Sequence, residues 1–208
     1  MILSVDQWNI NGKVLSEVTT ALNRDGIIIY PTDTVYGIGC RIDSQKALRR
    51  LYDIKRSRPD KPFSFICSSL KEASKYAVID NESYKIMKDL TPGPFTFVLP
   101  AKRETPKLLK SSSGTVGIRI PDHIWPRKIV EEIEVPIVTT SVKIENFLNN
   151  YDMSAVINYY QFLVDVILEE EFADYIDYND ISQSYSTVVK ITNGELEVLR
   201  EGKGKINF

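Results

Sequence analysis

Hydroxyl-bearing residues follow an apolar run near the start of the chain. The run Ile27–Tyr30 is rich in isoleucine, and Pro31–Gly39 then brings two threonines, an aspartate, a tyrosine and two glycines. This pattern predicts a buried strand that opens into a polar loop, the place where α/β proteins commonly bind ligands. The glycines would let the backbone approach a ligand closely. For such a segment taken alone, an ordinary turn after a strand is the simpler alternative.

A basic cluster lies one helix further along the chain. Lys55–Lys61 carries four cations within seven positions, directly after a predicted helix. Cations at a helix C-terminus complement the helix dipole, which is the simpler explanation for a lone cluster. Here a proline-containing turn follows, and the hydroxyl-rich loop is close in the chain. We therefore interpret the cluster as a cationic arm suited to phosphate or carboxylate groups.

Arg119 lies in the predicted strand Thr115–Ile120, whose alternation places Thr115, Gly117 and Arg119 on one face. A guanidinium between apolar residues needs an anionic partner. That partner is either a carboxylate of the same chain, in a structural salt bridge, or an anionic ligand. For the nearby His123 we predict a loop or cap residue rather than a base, because no pattern pairs it with a nucleophile.

The composition argues against several classes of protein. The formal net charge of -2 at pH 7 disfavours general nucleic-acid binding, although it is compatible with a local basic patch. Cys40 and Cys67 are the two cysteines and His123 is the single histidine, which disfavours a disulfide scaffold and a Cys/His zinc site. The sequence shows neither a signal peptide nor an apolar span of ~20 residues. We expect a soluble cytoplasmic protein without membrane partners.

The familiar nucleotide-binding signatures are missing from the sequence. It contains no G-x-x-x-x-G-K-[ST], and Gly37–Ile42 lacks the third glycine of the dinucleotide fingerprint. Any nucleotide must therefore be held by separate cations and hydroxyl groups.

Alternating helices and strands must position these groups. Apolar spacing predicts five helices, over 12–25, 44–54, 80–90, 126–133 and 152–169. Ser44 would cap the second of these helices, and the last has the clearest apolar stripe. Apolar runs predict strands over 27–30, 63–67, 95–99, 115–120 and 136–141. Asn193-Gly194 predicts a hairpin that joins 188–191 to 196–199. We infer a single α/β domain over residues 1–208, with a twisted mixed sheet and flanking helices.

Seven segments, in their order along the chain, resemble the YrdC/YciO-type family of threonylcarbamoyl-AMP synthases. The resemblance spans roughly residues 15–205 and is carried by Tyr30–Gly37, Lys55–Pro62, Thr91–Thr96, Thr115–Pro121, Thr139–Ser141, Ser186–Val189 and Val198–Gly202. It does not include the extra C-terminal domain of the family's longer members. The resemblance implies a YrdC-like domain whose twisted sheet has a concave, electropositive face.

The resemblance also implies an activity. Family members are described as condensing L-threonine, bicarbonate and ATP into threonylcarbamoyl-adenylate and pyrophosphate, which is a nucleotidyl transfer. The product feeds the threonylcarbamoyl modification of adenosine 37 in tRNA, so downstream tRNA-modification proteins would be partners. Mg²⁺ would share the phosphate charge and keep much of its water shell, and we expect no metal site built by the protein.

Site roles follow from the resemblance, position by position. Lys55 and Arg58 resemble the catalytic K-x-R pair. Thr34, Tyr36 and Arg119 resemble substrate-binding residues, and Arg119 would hold the amino-acid carboxylate. The remaining positions resemble nucleotide contacts, and these are Arg56, Lys61, Thr115, Thr139, Ser141, Ser186 and Arg200.

Three departures from the family pattern favour the YciO-like branch. The chain has Ser141-Val142-Lys143 where the synthases usually have S-x-N, and lysine cannot accept a hydrogen bond as the amide does. One residue too many precedes the proline of the basic segment, so either Arg56 or Arg58 is the family arginine. The position of a histidine that some members carry falls near Ile66 or Cys67.

These departures leave two other functions open. Some family proteins have been described as binding double-stranded RNA or tRNA, so the chain could be an RNA-binding protein with weak or no synthase activity. Alternatively, another acid-bearing metabolite replaces threonine as the substrate.

Overall fold

Ten strands form one mixed sheet in the computed structural model, which describes residues 1–57, 62–143, 153–170, 184–192 and 194–206. The strands are β1 (Ile2–Val5), β2 (Ile28–Tyr30), β3 (Gly37–Arg41), β4 (Ser64–Ile66), β5 (Phe95–Pro100), β6 (Thr115–Arg119), β7 (Ile137–Ser141), β8 (Val166–Glu170), β9 (Thr187–Thr192) and β10 (Glu195–Arg200). Their order is β1-β8-β2-β3-β7-β4-β6-β5-β9-β10. The pairs β1–β8, β2–β8, β4–β6 and β5–β9 are parallel, and the others are antiparallel. The predicted α/β class with a mixed sheet is confirmed.

Helices flank this sheet, and two of them have side-chain N-caps at residues that the sequence analysis named as cap residues. They are α1 (Gly12–Asn23), α2 (Gln45–Ile54), α3 (Leu70–Ala73), α4 (Asn81–Leu90), α5 (Ile124–Ile133) and α6 (Met153–Tyr160). The Ala47 N–H donates to Ser44 Oγ at 3.0 Å, which confirms the predicted cap of α2. The Trp125 N–H donates to His123 Nδ1 at 3.3 Å, so His123 is the N-cap of α5.

The two faces of the sheet are covered to different extents. On one face, strands from β3 to β9 pack against α2, α4 and α6 around side chains such as Ile38, Phe65 and Phe97. On the other face, α1 and α5 pack on β1, β8 and β2 around Leu22 and Trp125. That second core contains no described residue of β5, β6, β9 or β10. Half of the second face therefore has no helical cover within the described chain.

On the uncovered half, most side chains that point away from the first core are small or polar, and Val98 and Val188 are apolar exceptions. Phe65, Phe97, Ile118 and Val138 are buried in the first core. Because successive side chains of a strand point to opposite faces, their neighbours Ser64, Thr96, Gly117 and Thr139 lie on the uncovered face. Small residues there leave space above the sheet, and the fold thereby creates a cavity.

The prediction of a helix over 152–169 is wrong. Helix α6 ends at Tyr160, and Val166–Glu170 is the strand β8, which pairs in parallel with both β1 and β2. The side chains of Val166, Ile167 and Leu168 are all buried, because β8 lies inside the sheet and is covered on both faces. Periodicity alone cannot distinguish such a continuous apolar run from a buried helix.

Strand β3 also differs from the expectation. The polar loop predicted to extend to Gly39 ends earlier, since Gly37–Arg41 pairs with β2 on one side and β7 on the other. The loop that connects β2 to β3 is Pro31–Tyr36. The predicted C-terminal hairpin is confirmed as β9 and β10, while Asn193 of its predicted turn lies outside the described residues.

Both cysteines are buried, and we predict that they are unreactive in the folded protein. Burial raises the pKa of the Cys40 thiol to about 12 and that of Cys67 well above its usual value. Because the thiolate is the nucleophile, native protein at pH 8 should react with a thiol reagent at least about 100-fold more slowly than unfolded protein. Spectrophotometric labelling with and without denaturant measures this, and rapid labelling of either cysteine in the native protein would contradict it.

No helix in the described part of the chain is long and apolar enough to cross a membrane.

Candidate active site

The uncovered half of the sheet carries a cavity of about 310 Å³. Its walls come from β3 to β7, β9 and β10 and from the segments beside them. The lining residues are Val35, Tyr36, Gly37, Pro62, Phe63, Ser64, Thr96, Val98, Ser111, Thr115, Val116, Gly117, Arg119, Thr139, Thr140, Ser141, Ser186, Val188 and Arg200. A volume of this size falls at the lower end of the range of small-molecule sites.

Small residues form the floor of the cavity. In the sheet register, Thr139 lies opposite both Gly39 and Ser64, and Val98 lies opposite Gly117. A Cβ atom at Gly117 would approach Ser64 Oγ to 2.6 Å. The absence of a side chain at Gly117 therefore leaves the Ser64 hydroxyl at the floor.

We predict that Gly117→Ala weakens ligand binding more than it weakens the fold. The new methyl group would displace the Ser64 hydroxyl, which can rotate, and would occupy part of the cavity floor. We expect affinity for the ATP that the family resemblance implies as a ligand to fall about 10-fold. The free energy of unfolding should change by only about 1 kcal/mol, because overpacking costs more where neighbours cannot move. Calorimetric titration and chemical denaturation measure the two effects. Unchanged affinity, or unfolding of the variant, would contradict the prediction.

Arg119 lies in the cavity wall and is paired with Asp33. Arg119 Nη2 donates to Asp33 Oδ1, and the Asp122 N–H donates to Asp33 Oδ2 at 2.9 Å. Both side chains of the ion pair are 10% exposed. Arg119 Nε is buried and lacks a hydrogen-bond partner in the described structure. The structural salt bridge that the sequence left open is therefore present, yet it satisfies the guanidinium incompletely.

The loop that carries Asp33 is fixed from two sides. Within the loop, the Thr34 N–H donates to Thr32 Oγ1 at 3.0 Å, and the two threonine hydroxyls are also 3.0 Å apart. From outside, Lys203 Nζ donates to the Asp33 carbonyl at 2.7 Å. These contacts hold the Asp33 carboxylate in place, and Asp33 in turn orients Arg119.

Two buried tyrosines form hydrogen bonds beside the cavity. Tyr30 Oη donates to Thr139 Oγ1 at 2.6 Å beneath the floor, and burial raises the pKa of this phenol well above its usual value. The Glu170 N–H donates to Tyr36 Oη at 3.1 Å, and burial raises the pKa of Tyr36 to about 12. Burial therefore favours the neutral form of both phenols.

Lys55 reaches the edge of the cavity from the end of α2. Its Nζ donates to the Ser141 carbonyl at 3.0 Å, although 86 residues separate them in sequence. Arg56, the next residue, is exposed and has a left-handed φ of 46°. Neither Lys55 nor Arg56 is among the residues that line the cavity, but Lys55 Nζ contacts the backbone of Ser141, which does line it.

Pairs of hydroxyl groups line the opposite wall. The hydroxyls of Thr96 and Ser186 are 2.8 Å apart, and those of Ser111 and Thr115 are 2.7 Å apart. Arg200 Nη2 donates to the Ser186 carbonyl at 2.8 Å. Burial, together with the positive charge of Arg119, lowers the pKa of Arg200 below its usual value. Two guanidinium groups thus share one cavity, which favours an anionic ligand.

The structure brings most of the predicted site residues together. Seven of them line the cavity, namely Tyr36, Thr115, Arg119, Thr139, Ser141, Ser186 and Arg200. Thr34 is buried beside Thr32, outside the cavity lining. Arg58 and Lys61 lie outside the described residues, so whether Arg56 or Arg58 is the family arginine stays open. The functional role of each residue stays a prediction.

Sequence reasoning missed several groups at the cavity. It did not identify Asp33 as the partner of Arg119, nor Lys203 as a residue that reaches the same loop. Thr96 lies within a segment that carried the resemblance, and Ser111 within a serine-rich loop, so both had a signal that was not used. Lys203 had none, because only the packing of the C-terminal segment brings it near Asp33.

The donor set around the cavity does not form a metal site. Among the described residues, no group of three or more histidine, cysteine, aspartate or glutamate side chains could hold a metal ion. Asp33 lies next to the cavity, but its carboxylate already accepts from Arg119 and Asp122.

Comparisons with known proteins identify the family and the fold of this chain. A model of the Sua5/YciO/YrdC family, described as telomere recombination, matches residues 20–202. YciO of Escherichia coli K12 is 28% identical over 93% of this chain and 91% of that protein. A crystal structure of E. coli YciO covers 99% of this chain and 97% of that chain with a TM-score of 0.86.

Two further relatives carry names that state a chemistry. The putative threonylcarbamoyl-AMP synthase of Methanocaldococcus jannaschii is 30% identical over 91% of this chain and 86% of that protein. The crystal structure of P. abyssi Sua5 complexed with L-threonine covers 96% of this chain and 57% of that chain, with a TM-score of 0.82. At 24% identity the second match shows a shared fold. From the family match over 20–202 and these relatives, this chain belongs to the Sua5/YciO/YrdC family.

Proposed function

We propose that the chain is an L-threonylcarbamoyladenylate synthase, which condenses L-threonine, bicarbonate and ATP and releases pyrophosphate. Relatives named threonylcarbamoyl-AMP synthase and the Sua5 complex with L-threonine support this substrate class. The observation that carries the proposal is Arg119, a buried guanidinium with an unsatisfied donor in the wall of a hydroxyl-lined cavity.

Arg119 is suited to the carboxylate of an amino acid. A buried donor without a partner costs about 1–3 kcal/mol. An amino-acid carboxylate in the cavity would draw the guanidinium toward itself, so that Asp33 and the ligand share its donors. Arginine suits this role because its planar group can serve two carboxylates at once.

The reaction needs alignment and positive charge more than a protein nucleophile. Bicarbonate and the threonine amine combine with loss of water to give a carbamate. A carbamate oxygen then attacks the α-phosphorus of ATP while pyrophosphate leaves. In this proposal Lys55 and Arg200, which donate to the Ser141 and Ser186 carbonyls, supply positive charge that stabilises the phosphates. The family pattern adds Arg58 and Lys61, and the tRNA modification step would use the product.

Mg²⁺ enters this proposal as part of the nucleotide substrate. The described residues provide hydroxyls and cations around the cavity and no cluster of carboxylates. Because Mg²⁺ is commonly held by substrate phosphates and water, MgATP fits this donor set better than a resident metal ion.

Pyrophosphate release tests the function. Purified protein with MgATP should release pyrophosphate when both L-threonine and bicarbonate are present, and omission of either should return the rate to background. Other amino acids, supplied in place of threonine, test whether a different acid-bearing metabolite is the substrate. If no combination raises release above background, the synthase proposal is wrong.

The lysine at position 143 favours RNA binding as a second candidate function. Lys143 stands where synthases usually have the asparagine of S-x-N, and it adds a cation that could contact an RNA phosphate. This candidate predicts that duplex RNA or tRNA binds at low salt and that affinity falls steeply as salt rises. Absence of binding at low salt would exclude it.

A further inference from the structure

Lys203 connects the two sides of the cavity. On one side the lining residues follow the β2–β3 loop, and on the other they come from β9 and β10. Asp33 lies two residues before Val35 of the first side, and Lys203 lies three residues after Arg200 of the second. Lys203 Nζ donates to the Asp33 carbonyl at 2.7 Å. This hydrogen bond therefore joins segments that belong to opposite sides of the candidate active site.

The hydrogen bond crosses the cavity on its solvent side. Strands β3 and β9 are five strand spacings apart in the order β3-β7-β4-β6-β5-β9. In a flat sheet they would be about 24 Å apart, because neighbouring strands lie about 4.8 Å apart. The sheet must therefore curl for the segments beside these strands to meet. Since small residues form the floor and Lys203 is exposed, the Lys203 side chain lies above the floor and not beneath it.

The backbone that carries Lys203 is tightly packed. A Cβ atom at Gly202 would lie 2.4 Å from the Tyr185 carbonyl oxygen, and one at Gly204 would lie 2.5 Å from the ring of Phe95. Between these glycines, the Lys203 N–H donates to the Tyr185 carbonyl at 2.8 Å. Close packing on both sides of Lys203 leaves its backbone little room to shift.

The Lys203 side chain is the part of this connection that can move. At the other end, Arg119 and the Asp122 N–H hold the Asp33 carboxylate. Within the described chain, Lys203 Nζ bonds one carbonyl oxygen and forms no salt bridge. A lysine has a flexible four-carbon stem. One hydrogen bond between an exposed lysine and a carbonyl can therefore break and re-form while both backbones stay in place.

We propose that Lys203 is a strap across the candidate active site, which opens to let ligands enter and leave the cavity. This inference deepens the proposed function and rests on it for the identity of the ligands. Lys203 itself does not line the cavity. The strap bond forms in the free and the liganded protein alike, so it slows entry and exit together and contributes little to affinity.

Alkylation of a cysteine placed inside the cavity tests the strap. Ser64→Cys supplies a thiol at the floor, while both native cysteines are buried. Adding Lys203→Met should raise the rate of reaction with iodoacetamide about 10-fold or more, because no charged donor then holds the strap closed. The reagent is neutral, and loss of a nearby cation disfavours the reactive thiolate. A faster reaction therefore cannot come from the change of charge.

Matched variants serve as controls for the labelling experiment. Lys203→Arg keeps a charged donor and should label like the parent. Lys71→Met removes an exposed cation from α3, outside the cavity lining, and should also label like the parent. Ser112→Cys places the thiol on an exposed loop outside the lining, where Lys203→Met should not change its rate. Thermal unfolding confirms that each variant is folded before labelling.

Titration with ATP distinguishes a strap from a ligand contact. The ATP affinity of Lys203→Met should stay within about twofold of the parent, because an interaction that is equal in the free and bound states cancels from the affinity. A loss of about 10-fold or more, the effect of removing a charge-assisted contact, would make Lys203 a ligand contact and overturn the strap.

The labelling outcomes separate the strap from the proposed function. An unchanged rate at Ser64→Cys, or an equal rise at Ser112→Cys, would overturn the strap. If labelling rises as expected while the parent neither binds ATP nor releases pyrophosphate, the strap stands and the synthase proposal fails. If pyrophosphate is released and labelling of Ser64→Cys is unchanged by Lys203→Met, the reverse holds.

Discussion

Arg119→Met should lower kcat/KM for threonine in pyrophosphate release by about 100-fold or more. A hydrogen bond to a charged group contributes about 1.5–3 kcal/mol, and a guanidinium that meets a carboxylate through two donors contributes more. Methionine fills much of the same volume but offers the carboxylate no donor. Pyrophosphate release at varied threonine, with ATP and bicarbonate held at saturation, measures the loss.

Arg119→Met should also lower the free energy of unfolding. A second substitution separates this loss of stability from the loss of activity. Arg119→Met leaves the buried Asp33 carboxylate with only the Asp122 N–H as a donor. Removing one partner of a buried ion pair costs about 3–5 kcal/mol. The double variant Asp33→Asn/Arg119→Met removes the stranded charge, so we expect it to regain much of the stability and none of the activity.

The same pair of variants shows how the prediction could fail. If activity returns together with stability in the double variant, Arg119 serves the fold and not the substrate. The matched control is Arg103→Ala, an exposed arginine outside the cavity lining, which should retain both activity and stability.

Strand β6, whose two faces differ in polarity, was predictable from the sequence, whereas β8, which is buried on both faces, was not. The alternation of Thr115, Gly117 and Arg119 with apolar neighbours correctly placed all three residues on one face of the strand, and all three line the cavity. In β8 the alternation is lost, because neighbouring strands and both cores bury Val166, Ile167 and Leu168 alike. A helix over 152–169 was therefore the natural but wrong prediction.

Strand β3 was not predicted for a different physical reason, which is its glycine content. Gly37 is a poor strand former by propensity, yet a Cβ there would approach the Tyr30 ring to 2.8 Å. The buried ring of Tyr30 takes the space that a side chain of β3 would need, and its hydroxyl supports Thr139 at the cavity floor. This requirement comes from packing between strands, so a local pattern could not reveal it.

For the site, residue types were predictable and partners were not. The guanidinium at Arg119 had to have an anionic partner, but the choice of Asp33 depends on how the β2–β3 loop meets the end of β6. In the same way, Lys55 meets the carbonyl of Ser141 because α2 ends beside β7. Such long-range contacts follow from the order of strands in the sheet, which the sequence did not disclose.

Lys55→Met should lower the rate of pyrophosphate release about 100- to 1,000-fold, the usual loss when one preorganised group that stabilises transition-state charge is removed. Lys55 Nζ is held beside the cavity by the Ser141 carbonyl, so its charge is in place before substrate binds. The helix-end cation contributes about 0.3–1 kcal/mol to stability. We therefore expect a folded variant with a large loss of kcat, measured under saturating ATP, threonine and bicarbonate.

A cation on the same helix provides the control for Lys55. Lys46 has a side chain that is 82% exposed and lies 3.8 Å from Asp25, away from the cavity. Lys46→Met removes the same charge and should leave kcat within about twofold, since exposed ion pairs contribute little. A comparable loss in both variants would mean that general charge is responsible. An active Lys55→Met variant would instead remove Lys55 from the reaction and leave Arg200 and the cations of the basic segment as the source of positive charge.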